Sequence, residues 1–165
     1  MRRVHVVGRK NHGKTSLLVE LIGEYCRRGV RVGSIKHSSH RHELDTPGKD
    51  SQRHGAAGSC PSAIVTPDQV GLYLSRQSDQ DPYWQLATAF ADCALVLVEG
   101  DIEAQAPKVE VWRAGPGHAP LAGERTDIMA VISNDRPQVS VPVWPRNSVA
   151  ELADRLLDLA GHTYE

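Results

Sequence analysis

Three observations predict an α/β fold of three layers built on a mainly parallel sheet. Val4-His5-Val6-Val7 is apolar and rich in β-branched residues, as a buried strand is, and Ser16–Ile22 repeats apolar residues at helical spacing. Between them, Gly8-Arg9-Lys10-Asn11-His12-Gly13-Lys14-Thr15 fits G-x-x-x-x-G-K-[ST] at every fixed position. Ala94-Leu95-Val96-Leu97-Val98 is the most continuously apolar stretch, which suits a strand covered on both faces. Strand, glycine-rich loop and helix in that order make the predicted fold P-loop NTPase-like. An antiparallel hairpin and edge strands are added further along the chain.

Each residue type in the loop has a chemical reason. Gly8 and Gly13 allow backbone conformations closed to other residues, so that the N–H groups of Arg9, Lys10, Asn11 and His12 can turn inward on phosphate oxygens. The helix opening at Ser16 adds its positive end. Lys14 reaches the β- and γ-phosphates, and the Thr15 hydroxyl can hold one position on Mg²⁺.

The 165 residues read as a single nucleotide-binding domain, 1–165, long enough to bury a real core. With 19 basic and 20 acidic residues the net charge is −1, which makes no case for nucleic acid or an anionic membrane as partner. Cys26, Cys60 and Cys93 stand far apart, excluding a Cys-x-x-Cys pair and suggesting small buried apolar residues in a reducing compartment. Met1-Arg2-Arg3 is followed by the loop at Gly8 and not by an apolar leader, and no run is long enough to span a bilayer. A cytoplasmic location is expected.

The remaining elements follow in order. The helix after the loop should run through Arg28 and stop at Gly29, with Val30–Lys36 the next parallel strand. Residues 37–50 carry no apolar periodicity and contain Pro47-Gly48, so they form a loop; a short helix should follow from Ser51 to near Gly58. Ala63–Thr66 and Val70–Leu74 read as a hairpin turned by Pro67-Asp68. Residues 76–83 should be exposed, and Tyr83–Ala91 helical with Trp84, Leu86, Ala87 and Phe90 partly buried. Val109–Arg113 alternates like a half-exposed strand, 115–120 is loop, and Ile128–Ile132 is a buried strand. Val139–Val143 reads as an edge strand because of Pro142, and Asn147 or Ser148 caps a last helix with the stripe Val149, Leu152, Leu156, Leu159.

Outside the loop, Glu99 is the second site candidate. An acidic residue ending a buried strand beside a phosphate loop can take up Mg²⁺, with Asp101 the alternative. Lys36 and Lys49 are candidates for holding an anion. His37, His40 and His42 with Glu43 and Asp45 lack a cysteine partner or rigid helical spacing, so a solvated polar loop is favoured over a zinc site. Asn134-Asp135 follows a buried strand, where a purine base can be met, but no Asn-Lys-x-Asp occurs and base preference is not read from these residues.

Taken together, the phosphate loop, Ile35-Lys36-His37, Asp45-Thr46-Pro47-Gly48-Lys49-Asp50-Ser51, Arg53-His54, Ala57-Gly58 and Leu97-Val98-Glu99-Gly100 resemble the MobB family, the molybdopterin-guanine dinucleotide biosynthesis adaptor proteins. The resemblance covers nearly the whole chain. It implies GTP bound with Mg²⁺ and weakly hydrolysed, a homodimer, and work beside the guanylyltransferase that joins molybdopterin to GMP. It also implies that Gly8, Gly13, Lys14 and Thr15 hold phosphate and metal, that Glu99 sits at the metal, and that Asp45, Lys49, Asp50 and Arg53 contact a substrate or the other subunit. Asp101 and Ile102 replace the family's aromatic residue and lysine, Arg41 an acidic residue, and Gly55 a second arginine; Lys108 is the candidate substitute for the lysine. No glutamine or arginine is placed by the sequence to orient water, so no catalytic residue is assigned. A small-metabolite kinase using ATP and a nucleotide-regulated interaction module are the alternatives.

Overall fold

Strands and helices alternate along the chain in the computed structural model, which describes residues 1–76, 80–115 and 117–161. Packing divides it into two units, Met1–Ser39 with Thr88–Glu165, and His40–Ala87. In the first unit β1 (Arg3–Val7) leads through the glycine-rich loop into α1 (Lys14–Arg27) and β2 (Val32–Lys36). In the second lie α2 (Asp50–Ala56), β3 (Ser62–Val65) and β4 (Val70–Tyr73). The chain then completes the first unit with β5 (Leu95–Glu99), β6 (Lys108–Val111), β7 (Ile128–Ile132), β8 (Val143–Trp144) and α3 (Val149–Gly161).

The six strands of the first unit are ordered β2-β5-β1-β6-β7-β8 and every neighbouring pair is parallel. The parallel sheet was expected; the order is a tertiary result, because β5 inserts between β1 and β2. All five residues of β5 are buried. On one face Val4, Val6, Leu95, Leu97 and Val109 meet Leu17, Leu21 and Tyr25 of α1 and Leu152 and Leu156 of α3. Tyr25 donates from its buried hydroxyl to the Ala153 carbonyl at 2.8 Å, tying the two helices. Val7, Ala122, Ile128 and Val131 cluster separately; the register shift that leaves Met129 as an extra residue in β7 puts Ile128 on the same side as Val131, three residues on.

In the second unit β3 and β4 form the expected antiparallel hairpin, with Val65 opposite Val70. Thr66 closes the turn, its N–H donating to the Gln69 carbonyl at 2.8 Å and its hydroxyl to Asp68 at 2.8 Å.

Several expectations need correction. Tyr83–Ala91 is not one helix: a single 3-10 turn, Trp84–Leu86, is followed by further turns, and Trp84 is exposed while Tyr83 is buried. The Phe90 ring stands where a β-carbon on Gly33 would lie, 2.3 Å from it, so the chain after the 3-10 turn is pressed flat against β2. The strand around Val109 is fully buried. Its polar positions find protein partners in place of water: Glu110 accepts the Leu121 and Ala122 N–H groups at 2.8 and 2.9 Å, and Lys108 donates to Asp127 at 2.9 Å. The edge strand shrinks to Val143–Trp144, since Pro142 contributes its carbonyl to Val131 N–H but has no N–H of its own. Cys26 and Cys60 are exposed and Cys93 half-buried, none in the core. Within 76–83 and 115–120, residues 77–79 and 116 lie outside the described residues. No helix among the described residues is long and apolar enough to cross a membrane.

His5 is a buried polar residue in β1, its Nδ1 3.2 Å from the Gly100 carbonyl oxygen. Burial pushes its pKa from the ordinary 6.5 down to about 4; the Gly100 bond and Asp101 oppose the shift, and Arg3 and Lys108 add to it. The unfolded chain therefore takes up a proton near pH 6.5 and the folded protein only near pH 4, so the stability His5 contributes is complete above pH 6.5 and lost as pH falls towards 4. Urea unfolding at pH 7 and pH 5 is expected to show a loss of about 2 kcal/mol that a His5→Gln variant does not share.

Candidate functional site

The carboxyl ends of β1, β2 and β5 converge at one edge of the sheet, because Val6 and Lys36 are both in register with Glu99. The chain leaves β1 through Gly8, whose φ of 138° is closed to most residues. A β-carbon there would lie 2.5 Å from the Val111 carbonyl oxygen, so the glycine lets the loop press against the end of β6. Gly13, at φ 95°, caps α1 and turns the chain into the helix. The loop curls round the Lys14 side chain, which donates to the Arg9 carbonyl at 2.8 Å.

His12 points away from the cleft. It is buried, and its Nδ1 accepts the Arg113 N–H at 3.1 Å, pegging the loop to the segment after β6. Burial, reinforced by His118, Lys14, Arg113 and Arg9, lowers its pKa and favours the neutral ring that can accept this bond.

The chemical centre is Glu99. Its carboxylate is nearly buried, accepts the Thr15 hydroxyl with both oxygens at 3.0 Å, and forms an ion pair with Lys36. Two kinds of oxygen, a hydroxyl and a carboxylate, thus meet beside two lysines. Lys14 has its pKa lowered, by burial first; Glu99 opposes the shift and Lys36 adds to it. A cleft of about 720 Å³ opens over Lys10, Asn11, Gly13, Thr15 and Ser16. It shares Lys14 and Lys36 with a second cleft, of about 480 Å³, that continues to Gly100, Asp101 and Ile102. This set can grip a polyanion with backbone and ammonium groups while offering hard oxygen ligands to a small divalent cation.

Gly8, Lys10, Asn11, Gly13, Lys14, Thr15, Ser16, Lys36 and Glu99 are therefore brought together at the clefts, whereas the Arg9 and His12 side chains line neither. The other four candidates fall in the second unit: Asp45 half-buried in the loop, Lys49 preceding α2, and Asp50 and Arg53 an exposed pair 3.7 Å apart on α2. Lys108 does not replace the family's missing lysine. It opens β6, three residues before the Val111 that meets Gly8, and its ammonium is committed to Asp127. Asn134 and Asp135 accept backbone N–H groups of Arg146 and Ala114 at 2.8 and 2.7 Å, bracing loops. No group of three or more His, Cys, Asp or Glu residues suited to a metal ion occurs among the described residues. Arg113 was missed: it lines the larger cleft through the neighbouring strand and belongs to no motif.

A family model described as MobB, molybdopterin guanine dinucleotide synthesis protein B, matches residues 3–134. The molybdopterin-guanine dinucleotide biosynthesis adapter protein of Escherichia coli K12 is 32% identical over 151 residues, 88% of this chain and 86% of that protein. That of Haemophilus influenzae is also 32% identical, over 90% of this chain and 84% of its own length. The crystal structure of Bacillus subtilis MobB superposes with a TM-score of 0.72 at 27% identity, covering 97% of this chain and 99% of the other.

The two loop glycines should differ under substitution. Gly13→Ala meets no atom within 4 Å and bears only the cost of a side chain at positive φ, about 1–2 kcal/mol. Gly8→Ala must also move the Val111 carbonyl, and a loss of about 1–3 kcal/mol beyond that is expected in urea unfolding.

Proposed function

The chain belongs to the MobB family, the proteins of molybdopterin guanine dinucleotide synthesis, and on that footing we propose that it is an adaptor of this biosynthesis which binds GTP with Mg²⁺ at the Gly8–Ser16 loop and hydrolyses it slowly. The observation that carries the proposal is the meeting of Thr15 and Glu99 at 3.0 Å beside Lys14 and Lys36. Hard oxygen donors of this kind suit Mg²⁺, which usually takes only one or two protein ligands and completes its shell with phosphate and water.

In this mechanism the loop N–H groups and the amino end of α1 hold the phosphates, and Lys14 leaves the Arg9 carbonyl to meet the terminal oxygens. Thr15 and Glu99 hold the cation, which when bound neutralises charge on the phosphate oxygens. Lys36 sets the position of the Glu99 carboxylate and adds a second positive charge at the cleft.

The guanylyltransferase of the pathway is the proposed partner, and a second copy of the chain the proposed cover for the hairpin. Val65, Val70 and Leu72 are 74, 72 and 57% exposed there, an apolar surface that a two-stranded sheet cannot bury alone. The cleft running from Lys14 and Lys36 to Asp101 favours one second reading, a small-metabolite kinase with an acceptor in that space; preference for ATP would mark it.

Calorimetric titration with GTP and ATP, each with and without Mg²⁺, is the direct test. Tight binding of GTP that depends on Mg²⁺ is expected, and tighter binding of ATP would overturn the guanine assignment. Lys14→Ala should weaken GTP binding at least 100-fold. Glu99→Ala should keep binding in EDTA and lose most of the gain from Mg²⁺; an undiminished gain removes Glu99 from the metal site.

A further inference from the structure

The second unit has a pocket of its own, about 330 Å³, among the loop before α2, α2 itself and the hairpin. Its size falls in the range of roughly 300–1,000 Å³ typical of small-molecule sites. The lining is mostly apolar, with the backbone of Gly55, the methyl of Ala56 and the body of Tyr73 as walls and Leu44 at the rim.

Two polar atoms of this lining lack partners. Ser51 is 8% exposed, and its hydroxyl makes no hydrogen bond; only its carbonyl is used, by the Ser62 hydroxyl at 3.3 Å. Asp45 spends Oδ1 on the Thr46 N–H at 2.7 Å, while Oδ2 is buried without a hydrogen-bond partner. Burial first, then the adjoining Asp45 charge and the Asp45 carboxylate accepting from the phenol, raise the Tyr73 pKa above its ordinary value. Gln52 is held at the rim by Glu43 at 2.8 Å. A buried hydroxyl and a buried carboxylate oxygen left without partners cost stability, and a ligand that supplies those partners removes the cost.

A carboxylate oxygen facing an apolar slot is matched by a flat heterocycle with an amino group beside a ring N–H. The 2-amino-4-oxo edge has this form, and it is shared by pterins and guanine. We propose that this pocket is a second ligand site taking such a ring, with Asp45 accepting from the amino or ring N–H group and the Ser51 hydroxyl donating to a ring acceptor. The choice of a pterin over guanine rests on the biosynthetic role proposed above; the polar geometry of the pocket does not.

The test uses the full chain, titrated by fluorescence with 2-amino-4-oxopteridine, and by calorimetry with guanosine and separately with GTP. Saturable pterin binding is expected, weakened at least tenfold in Asp45→Asn and about fivefold in Ser51→Ala. GTP affinity in both variants should stay within twofold of the wild type. Ser51→Ala should melt no lower than the wild type, because the hydroxyl it removes has no partner in the fold. Guanosine bound in place of the pterin, with the same sensitivity to both variants, upholds the site and assigns it to guanine. Pterin and guanosine both failing on a chain that binds GTP overturns the pocket and leaves the nucleotide reading standing. Binding unchanged in both variants also overturns it, whereas pterin bound by a chain blind to GTP upholds the pocket and removes the nucleotide reading.

Discussion

The contact of Glu99 with Thr15 and Lys36 is the constraint on which the rest of the site depends. It joins three elements far apart in sequence, and it exists only because β5 lies between β1 and β2 with Val6 and Lys36 level with Glu99. A slip of one residue along β5 would turn Glu99 to the opposite face and leave Thr15 without its acceptor. The register is held by burial: all of β5 is inaccessible, and Leu95 and Leu97 face α1 and α3 on one side. Core packing and site geometry are thus set by the same pairing.

The polar groups within the sheet extend this dependence. Lys108, 2% exposed, is accommodated inside the fold because Asp127 accepts from it at 2.9 Å, and Arg125 in turn holds Asp127 through two bonds near 3.0 Å. Burial raises the Glu110 pKa, although its two N–H donors favour the charged form. The same donors fix the Leu121–Gly123 turn, and Leu121 lines the smaller cleft. Glu110 reads as solvent-facing in an alternating strand, yet it works as an internal support that carries the shape of the sheet to the site's edge.

The second unit follows a different logic. Its hairpin is local, with register set by the Thr66–Gln69 turn, and its strands expose apolar side chains that the first unit's sheet would have buried. Asp45 and Ser51 lie six residues apart on a loop and a short helix, and the pocket takes its last wall from Tyr73 on the hairpin. A motif read along the chain as a single run, Asp45 to Ser51, folds so that only some of its members face a common space; Lys49 and Asp50 are exposed, as is Arg53 beyond it.

By itself the sequence determined whatever local chemistry decides. The phosphate loop, its flanking strand and helix, the hairpin, the buried strand ending at Glu99 and the family were all legible, because glycine spacing, apolar period and turn residues act over fewer than about ten neighbours. Tertiary structure alone decided what depends on adjacency between distant segments. That includes the insertion of β5, the arrival of Arg113 at the cleft, the pegging of His12, the burial of Lys108 and Glu110, and the packing of Phe90 against Gly33. The physical reason is the same in each case. A polar side chain looks exposed in a linear pattern until a partner from another element satisfies it, and the choice of partner belongs to the packing of the whole sheet.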